Sequence, residues 1–217
     1  MKNKLKNKKI ILASASKRRQ KILRDLGFKF KIVKSNLNED LLIRKFKNLG
    51  PEKLVKILSL TKALCAVETC YRMSLDRNKS IAAFDTMVVC KNKILGKPKN
   101  KKDALKILLF LSNKEHKVYT GICLIDLKKK KVTIDCEETK VKMKKITRKE
   151  ALNYISTKEP LDKAGAYAIQ GRGKKFVKNY SGDYYNIIGL PVKKFISMLN
   201  RASPITYQLK ELAYRSN

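Results

Sequence analysis

The stretch Ile10-Ile-Leu-Ala-Ser-Ala-Ser-Lys-Arg-Arg19 sets the fold class of this chain. Its first four residues are apolar, small hydroxyl residues follow, and a helical pattern then continues to Gly27, so the spacing predicts a strand, a tight loop and a helix. A helix N-terminus has unpaired backbone N–H groups and the positive end of the helix dipole. The hydroxyls of Ser14 and Ser16 and the adjacent guanidinium groups add donors for phosphate oxygens. The stretch therefore predicts a site for a phosphorylated small molecule, although such strings also occur on ordinary surfaces.

Strand and helix patterns alternate along the rest of the chain, which predicts an α/β fold. The expected strands beyond the first are 28–33, 80–90 (interrupted at Asp85-Thr86), 117–127 and 132–143. The expected helices beyond the first begin at Pro51, Asp103, Thr147 and Pro191, and the tail after Ser203 is expected to be a frayed helix. Residues 35–48 are expected to form a polar connection. The last two strands read as a hairpin, which implies mixed rather than purely parallel pairing.

The chain has 217 residues, which suits one domain or a compact two-lobed unit, and its 52 Lys and Arg against 18 Asp and Glu give a net charge of +34. Such a charge is typical of proteins that bind nucleic acid or anionic membranes. The lysines are nevertheless spread over the whole chain, and no RNP-like aromatic string, zinc finger or basic zipper accompanies them. We therefore favour a lysine-rich solvated surface and expect no specific nucleic-acid partner. The positive field would still attract a polyanionic substrate.

Cysteine usage and hydropathy predict a cytoplasmic protein. The five cysteines are scattered, odd in number and without a C-x-x-C pair, which is typical of reduced thiols in the cytosol. The N-terminus is basic, but the apolar run after it is too short for a signal peptide. No window of the sequence approaches the roughly 20 apolar residues of a membrane span. We therefore expect a soluble chain without a membrane partner.

Two carboxylates are candidate catalytic or metal-binding residues. Asp85 lies inside an otherwise apolar strand pattern, where an unpaired buried carboxylate is costly, so it faces a site, pairs with a cation or marks a strand end. Glu39 lies in the polar connection and is more simply a solvated loop residue. Two carboxylates suit a hard ion such as Mg²⁺ or Mn²⁺. A single histidine and unpaired cysteines argue against structural zinc.

Four further polar residues are candidates for a role in a site. His116, the only histidine, is expected at the start of a strand rather than in catalysis, which weighs against a Ser-His-Asp mechanism. Lys97 is flanked by Gly and Pro, which fix the backbone and hence the direction of its side chain. Lys62 lies on a helix, and composition alone would not single it out. Gln170 could read a base edge with its amide, or its small-residue segment could be a tight packing turn.

Several strings in one order carry a resemblance to a known family. The strings are Leu12-Ala-Ser-Ala-Ser-Lys-Arg-Arg19, Glu39, Thr61-Lys-Ala63, Asp85-Thr86, Gly96-Lys-Pro98, His116-Lys-Val-Tyr-Thr-Gly121, Glu159-Pro-Leu-Asp-Lys-Ala-Gly-Ala-Tyr-Ala-Ile-Gln-Gly171 and Asn186-Ile-Ile-Gly-Leu-Pro191. With them the chain resembles the Maf-like nucleoside triphosphate pyrophosphatases from about Ile10 to Leu199. The Ile-Gln-Gly part resembles the branch that acts on dTTP and UTP, whereas the branch that acts on 7-methyl-GTP has a glutamate-containing string there.

The resemblance implies a fold, a reaction and a set of site residues. The implied fold is a mixed twisted sheet with flanking helices and two lobes around a nucleotide-binding cleft, commonly as a homodimer. The implied reaction is hydrolysis of a nucleoside triphosphate to the monophosphate and pyrophosphate with a divalent cation, Mg²⁺ or Mn²⁺. Asp85 would be the proton acceptor, and Glu39 its partner at the metal and the attacking water. The phosphate-binding residues would be Ser14, Arg18, Lys62 and Lys97, and the specificity residues Arg18, Thr86 and Gln170. Arg19 is expected to be structural.

Three positions depart from the family pattern. Lys17 stands in place of a proline, Phe84 in place of a small residue and Asn113 in place of a glycine. None of them removes a charged site residue, but Phe84 could tighten the pocket, so the reaction is better defined than the substrate.

The family domain is expected at 9–200, after a basic extension (1–8) and before a tail (201–217). Modified pyrimidine nucleotides are an open extension of the substrate range. The alternatives are the same chemistry on 7-methyl-GTP or another purine nucleotide, and a non-catalytic basic nucleic-acid-binding protein on this fold.

Overall fold

The computed structural model describes residues 9–34, 37–46, 48–73 and 79–200 and the strand at 206–208. The strands are β1 (Ile10–Ala13), β2 (Phe30–Ile32), β3 (Ser80–Cys90), β4 (Lys93–Leu95), β5 (Glu115–Asp126), β6 (Lys131–Met143), β7 (Val177–Ser181) and β8 (Thr206–Gln208). The α-helices are α1 (Lys17–Asp25), α2 (Glu39–Lys45), α3 (Pro51–Arg72), α4 (Lys101–Leu111), α5 (Arg148–Ser156), α6 (Tyr184–Ile188) and α7 (Val192–Asn200). Short 3-10 turns at Glu159–Asp162, Ala164–Ala166 and Arg172–Phe176 lie between α5 and β7.

The strands form a mixed sheet in the order β2-β1-β3-β5-β6-β7, with β4 beside β3 and β8 beside β6. Strand β1 is parallel to β2 and to β3, whereas β4 is antiparallel to β3, and β7 and β8 are antiparallel to β6. Parallel pairs joined through helices, together with antiparallel pairs joined through turns, are typical of mixed α/β proteins. The predicted fold class, a mixed α/β sheet with flanking helices, is confirmed.

The described residues divide into two compact units. The first takes its residues from Met1–Asp85, Thr120–Cys136 and Val192–Asn217, and the second consists of Thr86–Tyr119 and Glu137–Pro191. In the first unit, β1 lies between β2 and β3, and all of its residues are buried. A strand with both faces covered is expected to be continuously apolar, which explains the apolar run Ile10–Ala13.

The core of the first unit lies between α3 and the sheet. Ala63 and Ala66 on α3 belong to one buried cluster with Ile11 of β1 and Ile81 of β3. Because protein interiors are close-packed, these small residues allow the helix to lie close to the strands. This packing sets the position of α3, and with it the position of Lys62, which the helix carries next to Ala63.

Side-chain caps begin helices α1, α2 and α5, whereas α3 begins at Pro51 without one. The Ser16 hydroxyl accepts a hydrogen bond from the Arg19 N–H in the first turn of α1, and the side-chain Oδ1 of Asn38 accepts one from the Leu41 N–H in α2. Thr147 and Glu150 form the predicted capping box at α5. Gly27 adopts a left-handed φ of 80°, which lets the chain leave α1 at the predicted position.

Two predictions about the first half of the chain are wrong. The polar connection predicted at 35–48 contains helix α2, because Asn38 caps it and its first turn is acidic while its last turn is basic, as the helix dipole favours. Residues 35, 36 and 47 lie outside the described part. The strand predicted with an interruption at Asp85 is continuous, because a lysine partner neutralises the aspartate inside it.

The C-terminal part differs from its prediction as well. Strand β7 and helix α6 lie in a region where the sequence predicts no element, and helix α7 begins at Val192, one residue after the predicted Pro191. Residues 206–208, predicted as part of a frayed helix, form a strand instead, because β6 offers an open edge on which Tyr207 pairs with Val132. The rest of the predicted helix, at 204–205 and 209–217, lies outside the described residues.

Two sequence expectations concern thiols and hydropathy. All five cysteines are free thiols, and all but Cys65 are buried, as expected for small core residues. Within the described ranges, no helix is both long enough and apolar enough to cross a membrane.

Candidate functional site

The centre of the candidate site is a buried ion pair between strand β3 and helix α3. Asp85 lies within β3 and is 5% exposed, and Lys62 on α3 is 8% exposed. The Lys62 Nζ donates a hydrogen bond to Asp85 Oδ1. A buried carboxylate without a partner would be costly, so this lysine explains why an aspartate is tolerated inside an apolar strand. Of the three alternatives that the sequence left open for Asp85, the structure shows the pair with a cation.

Glu39 contacts the same lysine from a third element. It is the first residue of α2, and its Oε1 lies 2.9 Å from Lys62 Nζ. The Glu39 side chain keeps 45% of its surface exposed, whereas the Asp85 side chain keeps 7%. One ammonium group therefore lies against two carboxylates, of which one is buried and the other is open to solvent. Glu39 and Asp85 are called the carboxylate pair below.

Burial controls the ionisation of Asp85. Removal from water raises the pKa of the Asp85 carboxyl, and the nearby Glu39 charge raises it further, while Lys62 and Arg19 oppose the rise. A carboxylate with a raised pKa is a stronger base, once ionised, than an exposed aspartate. Asp85 is therefore suited to accept a proton, and perturbed carboxyl groups of this kind are frequent in active sites.

Arg19 lies buried behind the loop that follows β1. Its Nη1 donates one hydrogen bond to Ser14 Oγ at 3.0 Å and another to the carbonyl oxygen of Phe84 at 2.9 Å. Burial lowers the pKa of Arg19 to about 10, an effect that Asp85 and Glu39 oppose, so the guanidinium remains charged at neutral pH. The sequence predicted a structural role for this residue without locating it. In the structure the Arg19 guanidinium connects Ser14, a predicted phosphate-binding residue, to Phe84, the residue before Asp85.

The loop between β1 and α1 carries the other predicted phosphate-binding residues of the first unit. Ser14 is buried, and its hydroxyl also accepts a hydrogen bond from the Ser16 N–H at 3.3 Å. Arg18 is partly exposed, and its buried Nε has no hydrogen-bond partner within the described part of the chain. A partly exposed guanidinium in the first turn of a helix is a favourable position for an anion.

The remaining predicted site residues belong to the second unit. Thr86 lies in β3, where side chains alternate, so it occupies the face opposite to that of the preceding aspartate. Lys97 is exposed in the segment after β4. The carbonyl oxygen of Gly96 accepts the N–H of Gly165 at 3.2 Å, which ties that segment to the chain ahead of Gln170. Gln170 itself is exposed in a turn.

His116 has a structural position, as its sequence context predicted. It lies at the start of β5, it is 2% exposed, and its Nε2 lies 2.8 Å from the Tyr167 hydroxyl oxygen. Burial lowers the pKa of His116 to about 4, so the imidazole is neutral at physiological pH.

Comparison with known proteins decides the family. The sequence profile of the Maf-like protein family matches residues 9–202. This chain belongs to the Maf-like family. A dTTP/UTP pyrophosphatase of Clostridium botulinum is 43% identical over 192 residues, which are 88% of this chain and 96% of the relative. A dTTP/UTP pyrophosphatase of Caldanaerobacter subterraneus subsp. tengcongensis is 40% identical over 207 residues, or 95% of each chain. A third, from Thermoanaerobacter pseudethanolicus, is 42% identical over 193 residues, or 89% of this chain and 96% of the relative.

The resemblance that the ordered sequence strings carried is thereby confirmed as membership of the Maf-like family. The matched region contains every candidate site residue, from Ser14 to Gln170. Within the first unit, the structure brings Glu39, Lys62 and Asp85 into direct contact, which no local sequence pattern indicated. The roles of the individual residues stay predictions.

Proposed function

We propose that this Maf-like chain is a nucleoside triphosphate pyrophosphatase that hydrolyses dTTP and UTP, with modified pyrimidine nucleotides as further substrates. The curated relatives, which this chain covers over almost their whole length, carry the name dTTP/UTP pyrophosphatase. In the reaction, a water oxygen bonds to the α-phosphorus, the bond from that phosphorus to the oxygen bridging to the β-phosphate breaks, and pyrophosphate leaves. The products are the monophosphate and pyrophosphate.

The observation that carries the mechanism is the carboxylate pair around one lysine. Asp85 accepts the proton of the attacking water, because its buried carboxylate is a stronger base than an ordinary aspartate. Glu39, whose side chain is half exposed, orients the same water from the solvent side. Lys62 favours the ionised form of Asp85, since its ammonium opposes the rise in pKa that burial causes.

Cationic groups hold the triphosphate in this proposal. Ser14, Arg18, Lys62 and Lys97 donate hydrogen bonds to phosphate oxygens and stabilise the charge that develops on the leaving pyrophosphate. The partial exposure of Arg18 in the first turn of α1 supports its assignment, as does the exposure of Lys97. The net charge of +34 gives the whole chain a field that concentrates polyanionic nucleotides near it.

The carboxylate pair also fits a divalent cation. No group of three or more His, Cys, Asp or Glu side chains that could hold a metal is found among the described residues, so the protein would supply only two carboxylates. Mg²⁺ is commonly held by one or two carboxylates, with substrate phosphates and water completing its ligands. Both carboxylates already converge on one cationic group, Lys62 Nζ. A bound Mg²⁺ or Mn²⁺ would supply Lewis-acid polarisation of the α-phosphate, with Glu39 and Asp85 as its protein ligands.

Base recognition in this proposal falls to Arg18, Thr86 and Gln170. The carboxamide of Gln170 can accept from the N3–H of uracil or thymine through its oxygen and donate to O4 through one of its N–H groups. We further propose that residues 9–200 form the catalytic domain, that the chain acts in the cytoplasm and that it works as a homodimer.

Release of pyrophosphate from a panel of triphosphates tests the proposal. The panel contains dTTP, UTP, CTP, GTP, 7-methyl-GTP and one modified pyrimidine nucleotide, each with Mg²⁺. We expect dTTP and UTP to be the best canonical substrates, and Gln170→Ala to change the ranking more than the overall rate. A preference for 7-methyl-GTP would contradict the proposed substrate. RNA binding at physiological salt without any hydrolysis would favour the nucleic-acid-binding alternative.

Replacement of Asp85 tests the mechanism. Asp85→Asn should abolish pyrophosphate release, because an amide cannot accept the proton, while circular dichroism shows that the fold is retained. The matched control is Asp25→Asn, which removes an exposed carboxylate paired with Lys21 and should leave the rate unchanged. Full activity in a folded Asp85→Asn protein would contradict the mechanism.

A further inference from the structure

The turn that carries Gln170 is attached to two side chains outside the predicted site, Tyr154 and Glu159. The turn is closed by the Gly171 N–H, which donates to the Ala168 carbonyl oxygen at 3.2 Å, and Gln170 is exposed between them. An exposed side chain on a short turn is only as well placed as the backbone below it. What holds this backbone therefore decides where the Gln170 amide points.

Hydrogen bonds from both sides of the turn end on these two side chains. The Glu159 carboxylate accepts from the Tyr154 hydroxyl at 2.8 Å, the Arg172 N–H at 3.1 Å and the Gly173 N–H at 3.4 Å. The Tyr154 hydroxyl oxygen in turn accepts the Ala168 N–H at 3.0 Å. The chain is thus held before the turn through Ala168 and after it through Arg172 and Gly173.

The anchor itself is rigid. Tyr154 lies on the buried face of α5, is 2% exposed, and packs edge to face on Phe176 with 5.3 Å between ring centroids. Partial burial alone would raise the pKa of Glu159, but the hydrogen bonds from Tyr154, Arg172 and Gly173 outweigh it and lower the pKa. Glu159 is therefore an ionised acceptor at neutral pH, and its hydrogen bonds are charge-assisted.

Two glycines show how closely the turn follows this anchor. A Cβ at Gly171 would overlap the Glu159 carboxylate, and one at Gly173 would lie 2.7 Å from the Tyr154 hydroxyl oxygen and 2.8 Å from the Ala168 nitrogen. Only a residue without a side chain allows the backbone to approach the two anchoring groups this closely. The close approach therefore depends on residues on both sides, the two glycines of the turn and the side chains of Tyr154 and Glu159.

We propose that Tyr154 and Glu159 are positioning residues for nucleotide selection, which fix the turn from which Gln170 reads the base. This inference rests on the proposed function, because it assumes that Gln170 contacts the base. Neither residue contacts the substrate. Their effect falls on the discrimination between nucleotides, since a shifted amide weakens the correct base contact more than it slows chemistry at the α-phosphate.

Glu159→Gln and Tyr154→Phe test the proposal, because each keeps the size of the side chain and alters one group. Each should lower the ratio of kcat/KM for dTTP to that for GTP by about tenfold through KM, with kcat for dTTP changing much less. Amide hydrogen exchange over residues 168–173, followed by mass spectrometry, should become faster in both variants. The control Glu115→Gln removes an exposed carboxylate of the same unit and should change neither quantity.

The variants distinguish failure of this inference from failure of the proposed function. If Gln170→Ala alters the nucleotide ranking but Glu159→Gln and Tyr154→Phe do not, positioning by the anchor is wrong, whatever their hydrogen exchange shows. If Gln170→Ala leaves the ranking unchanged, the proposed base contact is wrong and this inference fails with it. Should Glu159→Gln not fold, Tyr154→Phe decides alone, because the buried ring packing is kept.

Discussion

Lys62→Met is the substitution that probes the charge cluster of the candidate site most directly. Methionine keeps the length and burial of the lysine stem but removes the ammonium group that lies against both members of the carboxylate pair. Of Lys62 and Arg19, the two cations that lower the pKa of the 5% exposed Asp85, Arg19 then remains. Breaking a buried ion pair by removing one partner costs about 3–5 kcal/mol, and we expect the free energy of unfolding to fall by that amount at neutral pH.

The loss of stability in Lys62→Met should depend on pH, in the direction set by the titration of Asp85. Its pKa is already raised in the folded protein from an ordinary value of 3.8, and without the lysine it rises further. The folded chain then binds more protons than the unfolded chain, so stability falls as pH rises from about 4 to the folded pKa, by up to about 1.4 kcal/mol per pH unit. Below pH 4 the effect disappears, because the carboxyl is protonated in both states.

Urea denaturation of four proteins measures both effects. The wild type, Lys62→Met, Asp85→Asn and the double variant form a cycle, and we expect a coupling energy of about 3 kcal/mol at pH 8 that shrinks at pH 5. The control Lys21→Met removes one member of an exposed pair with Asp25 and should cost less than about 1 kcal/mol. Additive effects within about 0.5 kcal/mol, or a coupling that does not vary with pH, would refute the reasoning.

Three further substitutions have definite expected outcomes. Arg19→Lys keeps the charge but loses the planar guanidinium that joins Ser14 to the Phe84 carbonyl oxygen. We expect kcat/KM for dTTP to fall about tenfold. Unchanged initial rates would count against this role. Burial lowers the pKa of His116 from 6.5 to about 4, so its contribution to the free energy of unfolding is complete above pH 6.5, and about 3 kcal/mol is lost as pH falls to 4. His116→Gln should remove this pH dependence of stability in urea titrations. The same pH dependence in the variant would exclude His116 as its source. Gly121→Ala places a Cβ against the Val55 backbone of α3 and should cost about 1–3 kcal/mol, so an unchanged thermal midpoint would show that the helix moves freely.

The first strand, loop and helix could be predicted because all of their signals are local. The apolar run, the capping Ser16 and the terminating Gly27 lie within one short stretch, and the structure confirms each of them. Helix α2 was missed because its signal, the cap at Asn38, lies in a polar segment without an apolar period. A short helix with no buried residue produces no hydrophobic pattern to detect.

The contacts of the candidate site could be predicted only in part. Lys62 lies 23 residues from Asp85 and is one of many lysines, so only the packing of α3 on the sheet selects it as the partner. The interior position of Arg19 did have a local signal, because Arg19, Ile22 and Leu23 fall at helical spacing on one face and are all buried. Glu159 and Gly171 lie in one of the strings that carry the family resemblance, but its backbone N–H donors could not be read from the sequence, so its role as an anchor was seen only in the structure.

The continuity of β3 limits how the length of this protein can vary. Asp85 and Thr86 are adjacent but occupy opposite faces, because side chains alternate along a strand. Insertion or deletion of one residue between Ile81 and Asp85 would reverse every face beyond it and would replace the buried carboxylate beside Lys62 with a different side chain. Chains that retain this site can therefore diverge by substitution within β3, whereas gains and losses of residues are tolerated at its ends, as at the left-handed turn of Lys91 and Asn92.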